Sequence, residues 1–370
     1  MIGRWTLKEL LRARARVVGS ILAVGVSFAL VITFRAVWEG ETGQLAVYLE
    51  HAGADVWVMQ AHVSNMHMAS SYISEGKRYE IAQLEGVQSV GAILYLNTML
   101  EAGGRQWFSY VVGVDEADQP GGPWSMFEGR GDMEPGEAVI PATLSRLTGT
   151  GIGDEIRIAD RLFEVVGLSS ETFSVTNPVT FVPAVDLADI LSLAGYDSYL
   201  LVRADPGVAP EDLAARIREE VDGVAALTTP ELVESDVQLA SQMGTEVIAL
   251  MTAMCAVLAT LLVGFALFIH TSHNRRELVI LKTVGFSNRH IYGSVLIQAL
   301  VLTALAFAFA VGLAGTLAIV GPRLAPILSL SITFGALVQV GIAGLAVALA
   351  ATLTLAHRIA RVDPMSAFNQ

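Results

Sequence analysis

Residues 59–68 bring together the side chains of this chain that are best suited to binding a soft metal ion. The stretch holds three methionines and two histidines, which are Met59, His62, Met66, His67 and Met68. Thioether and imidazole groups are ligands of copper, but the spacing fits no strong metal template, and both residue types are also ordinary packing and turn residues. We therefore favour packing over metal binding and expect no bound metal or cofactor.

The other polar residues form no recognisable catalytic constellation. The sequence has no G-x-x-x-x-G-K-[ST] phosphate-binding loop, so we expect neither ATPase nor other enzymatic activity on this chain. Lys77 and Arg78 are too small a basic patch to predict nucleic-acid binding. The single cysteine, Cys255, excludes an intrachain disulfide, so any large domain must be stable through its own core.

Charge divides the 370 residues into three blocks. Residues 39–246 contain 33 Asp and Glu against 10 Lys and Arg, whereas the rest of the chain contains 3 against 13. Only 16% of all residues are charged, where soluble domains usually have about a quarter. We interpret the acidic block as one large solvated domain between two basic, apolar segments.

Four apolar stretches are long enough to cross a membrane as helices. A helix rises about 1.5 Å per residue, so about 20 apolar residues span the hydrocarbon. Backbone amides in lipid must bond within their own segment, which favours helices. We interpret the first stretch as an uncleaved anchor rather than a signal peptide, because its apolar run is long and no clear small-x-small cleavage site follows Arg35.

Basic residues predict the orientation of these spans. Lys and Arg precede the first span, fill the loop between the second and third, and follow the fourth, and such segments tend to face the cytoplasm. We therefore expect a multi-pass membrane protein with both termini cytoplasmic. The predicted segments are a cytoplasmic amphipathic segment 1–16, span 17–38, external α+β domain 39–246, span 247–270, cytoplasmic loop 271–294, span 295–320, external loop 321–331, span 332–356 and cytoplasmic tail 357–370.

The acidic domain is predicted to be α+β with many short elements. Alternating or β-branched runs predict strands at 54–60, 90–100, 106–114, 136–141, 153–158, 162–166, 179–183 and 199–203. Helical patterns predict helices at 39–51, 79–85, 142–147, 184–194, 210–221 and 230–243, the last continuing into the second span. Gly103 and Gly104 suit a hairpin turn between the second and third of these strands.

Small residues at four-residue spacing mark the last two spans. Such ladders let helix backbones approach closely, either within one subunit or at a seam between subunits. We favour packing within one subunit, because the pattern is common in membrane bundles. The ladders are Ala304, Ala308, Gly312 and Thr316, then Gly344, Ala348, Thr352 and Ala356.

The cytoplasmic loop between the second and third spans contains a short amphipathic helix. Leu278, Leu281 and Val284 recur at helical spacing. Gly285 can end the helix as a C-cap and Ser287 can begin the next one. A helix of this kind either lies on the lipid surface or docks into a groove of a cytoplasmic partner.

This loop also resembles a family signature. R-R-E-L-V-I-L-K-T-V-G-F-S at 275–287 resembles the R-E-[IL]-[GA]-[IVL]-[LM]-[RK]-[AT]-[IVL]-G-[AF]-[ST] motif of FtsX/MacB-type ABC transporter permeases, with Val279 where Gly or Ala is frequent. The tail resembles the family's closing R-x-D-P-x-E-A-L through Arg361, Asp363 and Pro364, with Ser366 in place of Glu. G-E-A-V-I at 136–140, G-D-E-I at 153–156 and V-T-F-V-P at 179–183 resemble its external domain.

The resemblance covers essentially the whole chain. The arrangement of one span, a large domain and then three spans is similar to that of the DevC and LolC/LolE permeases. The resemblance implies a bacterial inner-membrane protein that has four transmembrane helices and a MacB-like periplasmic core domain between helices 1 and 2. It also implies a coupling helix that seats on a separate ATPase, with Glu277 and Lys282 giving polar register and Leu278 and Leu281 apolar anchoring. The coupling residues are Arg276, Glu277, Leu278, Ile280, Leu281, Lys282, Gly285, Phe286 and Ser287.

The implied partners are an ABC ATP-binding subunit, a second permease copy in a homodimer, membrane lipid and a periplasmic adaptor (membrane fusion) protein, with no nucleic acid. ATP hydrolysis would move the external domain and drive export or extraction of an amphiphilic, lipid or peptide substrate. The alternative is an FtsX-like relay that activates an external partner without transport. A full-length external domain favours export.

Overall fold

The computed structural model describes residues 14–115, 120–173, 178–273, 288–324 and 330–360. In chain order the elements are α1 Arg14–His51, β1 Val56–Gln60, β2 Ile73–Ser74, α2 Glu75–Ala82, β3 Val87–Ala102, β4 Arg105–Val114, β5 Met126–Gly129, β6 Glu137–Pro141, α3 Ala142–Thr148, β7 Glu155–Ile158, β8 Arg161–Ser169, β9 Val179–Pro183, α4 Ala184–Leu191, β10 Tyr196–Asp197, β11 Tyr199–Ala204, α5 Pro210–Glu220, β12 Val224–Thr228, α6 Thr229–His273, α7 Asn288–Leu324 and α8 Phe334–Ala360.

The described residues form two compact units. A helical unit contains the residues up to Glu39, those from Glu246 to Leu324 and those from Leu330 onward. A mixed unit of helices and strands contains Gly40–Thr245. Helices α1 and α6 each contribute residues to both units, so the helices predicted at 39–51 and 230–243 continue without a break into the apolar segments beside them.

Each predicted span falls on a helix of the helical unit. Within the described residues, Val17–His51 of α1 and Tyr292–Gly321 of α7 are long and apolar enough to cross a membrane, with mean hydropathies of 2.4 and 2.3. Shorter apolar segments, Leu250–Leu262 and Phe334–Ala350, lie within α6 and α8.

The segment between α7 and α8 differs from its predicted bounds. Helix α7 continues to Leu324, four residues into the predicted external loop. Helix α8 begins at Phe334 rather than at 332, because Thr333 caps it: the Oγ1 atom of Thr333 accepts from the backbone N–H of Ala336 at 3.1 Å. A threonine that satisfies a free N–H in this way fixes the first turn of a helix.

The two ladders of small residues behave differently. In α8, Gly344 and Ala348 are buried, and a Cβ added at Gly344 would lie 2.7 Å from the ring of Phe28. This part of the second ladder therefore packs within the subunit, as expected. The first ladder is exposed on α7; its members are Ala304, Ala308, Gly312 and Thr316. Another row, Ala306, Ala310 and Ala314, fills the buried face.

A ten-stranded mixed sheet organises the other unit. Its strand order is β12-β1-β11-β3-β4-β9-β6-β8-β5, with β7 paired to both β3 and β8. The pairings of β3, β4, β9, β6, β8 and β7 therefore form a closed ring. The β3–β4 hairpin turns at Gly103 and Gly104, as predicted, and both glycines have a positive φ (59° and 71°).

Alternation along β1 shows how the sheet separates two cores. Trp57 and Met59 point into one core, which also contains residues of α1 and α6. Val56 and Val58 point into another, which contains residues of α5. Successive side chains of a strand face opposite sides, so this short strand is buried on both faces. The first core, between the sheet and the ends of α1 and α6, positions the candidate site.

Most predicted elements of the mixed unit are present, with shifted ends. Helix α2 begins at Glu75 rather than 79 and ends at Ala82. Helix α4 ends at Leu191 rather than 194, because Ser192 adopts a left-handed conformation (φ 56°). Four strands were not predicted, and they are β2, β5, β10 and β12.

Candidate functional site

Helix α1 ends, and helix α6 begins, in the same core of the mixed unit. Tyr48 and Leu49, in the last turns of α1, are 3% and 1% exposed, and Leu232 near the start of α6 is fully buried in the same cluster. We call the set Tyr48, Leu49, His67, Leu232 and Asp236 the helix anchor. It fixes where these helices attach to the sheet.

Tyr48 attaches α1 through both its ring and its hydroxyl. The hydroxyl donates to the carbonyl oxygen of Gly121 at 3.0 Å, and the ring centroid lies 6.2 Å from that of Trp57. Gly121 has φ +97°, and an added Cβ would lie 2.4 Å from Ile93. Only glycine fits here without strain, so the loop that receives Tyr48 depends on this residue.

Helix α6 begins with a reciprocal cap. The carboxylate of Glu231 accepts from the backbone N–H of Thr228 at 2.9 Å, and the hydroxyl of Thr228 accepts from the backbone N–H of Glu231 at 3.4 Å. Thr229 adds a hydroxyl bond of 2.6 Å to the carbonyl oxygen of Ala54. A T-x-x-E capping box satisfies two free helix N–H groups and sets the direction of the first turn.

Asp236, two turns into α6, holds the loop between β1 and β2. Its side chain is fully buried. One oxygen accepts from the backbone N–H groups of Met66 at 2.8 Å and His67 at 3.4 Å, and the other lies 3.0 Å from Nδ1 of His67. A buried carboxylate is tolerated only when it is paired and hydrogen-bonded. The pair therefore fastens α6 to a loop far away in the sequence.

A tyrosine cluster surrounds this pair. The ring of His67 meets the ring of Tyr110 edge-on at 5.0 Å, and Tyr110 stacks on Tyr95 at 5.6 Å. Burial, together with the neighbouring phenols of Tyr110 and Tyr199 and the carboxylate of Asp236, raises the pKa of Tyr95 well above its ordinary value. Burial and the charge of Asp236 likewise raise the pKa values of Tyr110 and Tyr199. These phenols therefore stay neutral beside the carboxylate.

Another carboxylate, that of Asp197, is partly buried at the two-stranded sheet of β2 and β10. Burial raises the pKa of Asp197 to about 6, opposed by the charge of Arg78 and assisted by those of Asp115 and Glu75. Its Oδ2 atom has no hydrogen-bond partner among the described residues. An acid whose pKa is higher when folded lowers the free energy of unfolding as the pH rises through that pKa.

Replacing Asp197 with Asn should therefore raise the free energy of unfolding of the full chain at pH 7.5 by about 1–2 kcal/mol, a value reduced for the solvent that reaches this group. The gain should shrink as the pH falls from about 6 toward 4, because the wild-type carboxyl then becomes neutral as well. Thermal unfolding in detergent at pH 7.5 and pH 4.5 measures both. The exposed Asp205→Asn is the matched control; an equal gain in both variants would contradict the assignment to Asp197.

The methionines and histidines of residues 59–68 do not share one site. Met59 and Met66 are core side chains at 0% and 3% exposed, Met68 is 59% exposed, His62 is an exposed turn residue with φ 69°, and His67 binds Asp236. Among the described residues no three His, Cys, Asp or Glu side chains form a potential metal site. Met59 and Met66 therefore pack in the core, as the packing interpretation predicts.

The predicted coupling and tail residues lie outside the described residues. This applies to the segment 276–287 and to Arg361, Asp363 and Pro364. The helix anchor, in contrast, was not predicted. A T-x-x-E pattern at 228–231 is the sequence signal that could have located the start of α6, whereas Asp236 resembles any acid on the surface of a helix.

Family comparisons cover most of the chain. Residues 17–220, more than half of it, match the MacB-like periplasmic core domain. Residues 249–364 match the FtsX-like permease C-terminal domain, a stretch that contains the whole predicted coupling segment. The chain belongs to the FtsX/MacB-type ABC transporter permeases. Membership of this permease family implies an ATP-binding partner, a dimeric assembly and a membrane location.

Two solved structures are similar to the permease. One is the periplasmic region of MacB from Actinobacillus actinomycetemcomitans, 12% identical, covering 50% of this chain and 94% of that one, with a TM-score of 0.38. The other is the extracellular domain of the noncanonic ABC-type transporter YknZ from Gram-positive bacteria, 12% identical, covering 47% and 99%, with a TM-score of 0.35. No curated protein matches the permease.

Proposed function

We propose that this permease is a non-catalytic membrane subunit that couples ATP hydrolysis on a separate chain to movement of its external domain, and so exports or extracts an amphiphilic, lipid or peptide substrate. The observation that carries this proposal is the FtsX-like permease match at 249–364, which includes the motif at 275–287. The sequence has no phosphate-binding loop of its own, which supports an ATPase on another chain.

The proposed topology has four spans, at 17–38, 247–270, 295–320 and 332–356, with both termini in the cytoplasm. Its supports are the four helices at these positions and the basic residues of the segments assigned to the cytoplasm. The external domain then comprises residues 39–246. Because α1 and α6 are continuous through the predicted span ends, each can carry a displacement as a rigid rod.

The coupling helix of the proposal receives force from the ATPase. Leu278 and Leu281 insert into an apolar groove of the partner, while Glu277 and Lys282 fix the register through charge. Gly285 gives the tight turn that ends the helix. The second and third spans adjoin this segment, so its displacement passes into α6 and from there to the helix anchor.

A homodimer is the proposed assembly. The exposed ladder Ala304, Ala308, Gly312 and Thr316 on α7 supports it, because small residues on an outward face let a second helix approach closely. Export also requires that the moving domain act on something outside the membrane, so a periplasmic adaptor (membrane fusion) protein completes the proposed assembly, with membrane lipid around the spans.

Replacing Glu277 and Leu281 with alanine together should abolish binding of the ATPase and leave membrane insertion intact. Loss of an apolar anchor and a charged contact at the centre of an interface lowers affinity by about a hundredfold or more. The measurement is the amount of ATP-binding subunit that co-purifies with the tagged full-length permease.

The matched control is Glu128→Ala with Leu162→Ala, two exposed residues of the same types in the mixed unit, which should co-purify the ATPase as the wild type does. Undiminished ATPase on the Glu277 and Leu281 double variant would refute the coupling assignment.

A further inference from the structure

A groove opens on the helical unit between α1, α6 and α8. Its volume is 240 Å³, room for roughly eight groups the size of a water molecule. Most of its wall is apolar or small, with Phe28 and Val31 from α1, Ala256 from α6 and Ala343 from α8. A surface of this composition accommodates hydrocarbon.

One end of the groove is polar. Arg35 and Gln339 line it, and the Nη2 atom of Arg35 donates to Oε1 of Gln339 at 3.0 Å and to Oε1 of Glu39 at 3.1 Å. The other oxygen of Glu39 accepts from Thr333 Oγ1 at 2.5 Å. These bonds hold the guanidinium in one position at the end of the groove.

The guanidinium retains unused donors. Arg35 has five N–H groups, and its Nε and Nη1 atoms make no hydrogen bond to the described residues, while its side chain is 36% exposed. An arginine this close to the end of a span extends its guanidinium to the membrane interface, where the phosphates of lipid headgroups lie. The unused donors of Arg35 can therefore bind an anion in addition to Glu39.

The polarity of the groove follows the proposed topology. Arg35 lies three residues before the end of the first span and Gln339 seven residues after the start of the fourth, so both lie toward the external leaflet. Phe28, Ala256 and Ala343 lie deeper. The groove is thus cationic at the external boundary and apolar toward the bilayer centre, which is the polarity of a phospholipid in that leaflet.

We propose that the groove binds one acyl chain of an external-leaflet phospholipid, with the lipid phosphate on Arg35. The planar fork of a guanidinium suits phosphate oxygens. A second copy of the permease would meet the donors of Arg35 less well, because the four predicted spans contain no Asp or Glu. The inference rests on the proposed topology and not on export or on the ATPase.

Native mass spectrometry of the full-length permease, released from nanodiscs of phosphatidylethanolamine and phosphatidylglycerol, tests this site. We expect one phospholipid to stay bound per chain. Arg35→Gln should lower the retained fraction about tenfold, because a charge-assisted bond to phosphate is lost. Diacylglycerol with the same acyl chains, added to the nanodiscs, should not be retained, since it has no phosphate.

Ala343→Phe should also remove the lipid by filling the groove while leaving Arg35 in place. Ala256→Phe fills it from α6 if the first variant is not recovered as a monodisperse protein. The matched control is Ala346→Phe, an exposed residue of the same helix that does not line the groove, which should retain the lipid.

Retention that is unchanged in both Arg35→Gln and Ala343→Phe would overturn the proposal. A disulfide between two copies of Ala343→Cys, made in a Cys255→Ser background and formed in full yield without bound lipid, would overturn it too, because a second chain would then fill the groove. The measurement needs no ATPase, so failure of the coupling assignment is recognised separately.

Discussion

Replacing His67 with alanine should lower the free energy of unfolding of the permease by about 3 kcal/mol or more, because it removes a largely buried ring and leaves one oxygen of the buried Asp236 carboxylate without its hydrogen-bond partner. The side chains of His67 and Asp236 are only 10% and 1% exposed, so solvent cannot replace the lost bond. Two backbone N–H groups remain on the carboxylate, which is why the loss stays below the cost of an isolated buried charge. Denaturant unfolding of the full chain in detergent, followed by tryptophan fluorescence, measures the change.

The matched control is His62→Asn, an exposed histidine of the same loop whose left-handed backbone asparagine tolerates. That variant should lie within about 0.5 kcal/mol of the wild type. A double variant, His67→Ala with Asp236→Asn, should lose less free energy of unfolding than the sum of the losses in the two single variants. The reason is that the amide is uncharged and leaves no buried charge without a partner. Equal stability of His67→Ala and His62→Asn would contradict the role given to the pair.

Replacing Trp57 with alanine should lower the free energy of unfolding by about 3–5 kcal/mol, since it removes the largest fully buried side chain among the described residues. The ring packs between Tyr48 of α1 and Tyr199 of β11, with centroids 6.2 Å from each. Its loss should therefore loosen the end of α1 as well as the sheet. Hydrogen exchange of residues 45–51 in the full chain should rise together with the loss of stability.

Trp57→Phe is the matched variant for this prediction. The indole Nε1 is buried and has no hydrogen-bond partner among the described residues, so phenylalanine loses volume but no polar contact. Trp57→Phe should lower the free energy of unfolding by about 1.5 kcal/mol or less. A Trp57→Ala variant that leaves the exchange of residues 45–51 unchanged would show that α1 is held independently of this core.

The elements that depend on the pattern of neighbouring residues could be predicted from the sequence. The β3–β4 hairpin was predicted because alternating apolar residues flank two glycines, and the turn closes where those glycines lie. The strand β12 was missed because two of its five residues are alanine, which has low strand propensity. It forms through pairing with β1, more than 160 residues earlier in the chain, and a local pattern carries no such information.

The helix anchor was beyond sequence reasoning for the same reason. Asp236 lies in an acidic domain where a solvated carboxylate is the default expectation. Its burial follows from contact with His67, 169 residues away in sequence. The coupling segment, in contrast, was found through its own consecutive residues, which is why it could be predicted from sequence by resemblance while its structural role remains a proposal.

Cysteine accessibility tests the central claim most directly. In a Cys255→Ser background, Glu128→Cys marks the mixed unit and Ser287→Cys marks the segment assigned to the ATPase. We expect a membrane-impermeant maleimide to label Glu128→Cys in intact spheroplasts and Ser287→Cys only after the membrane is permeabilised. Labelling of both positions from outside would place the coupling segment and the external domain on one side of the membrane. It would contradict force transmission from a cytoplasmic ATPase.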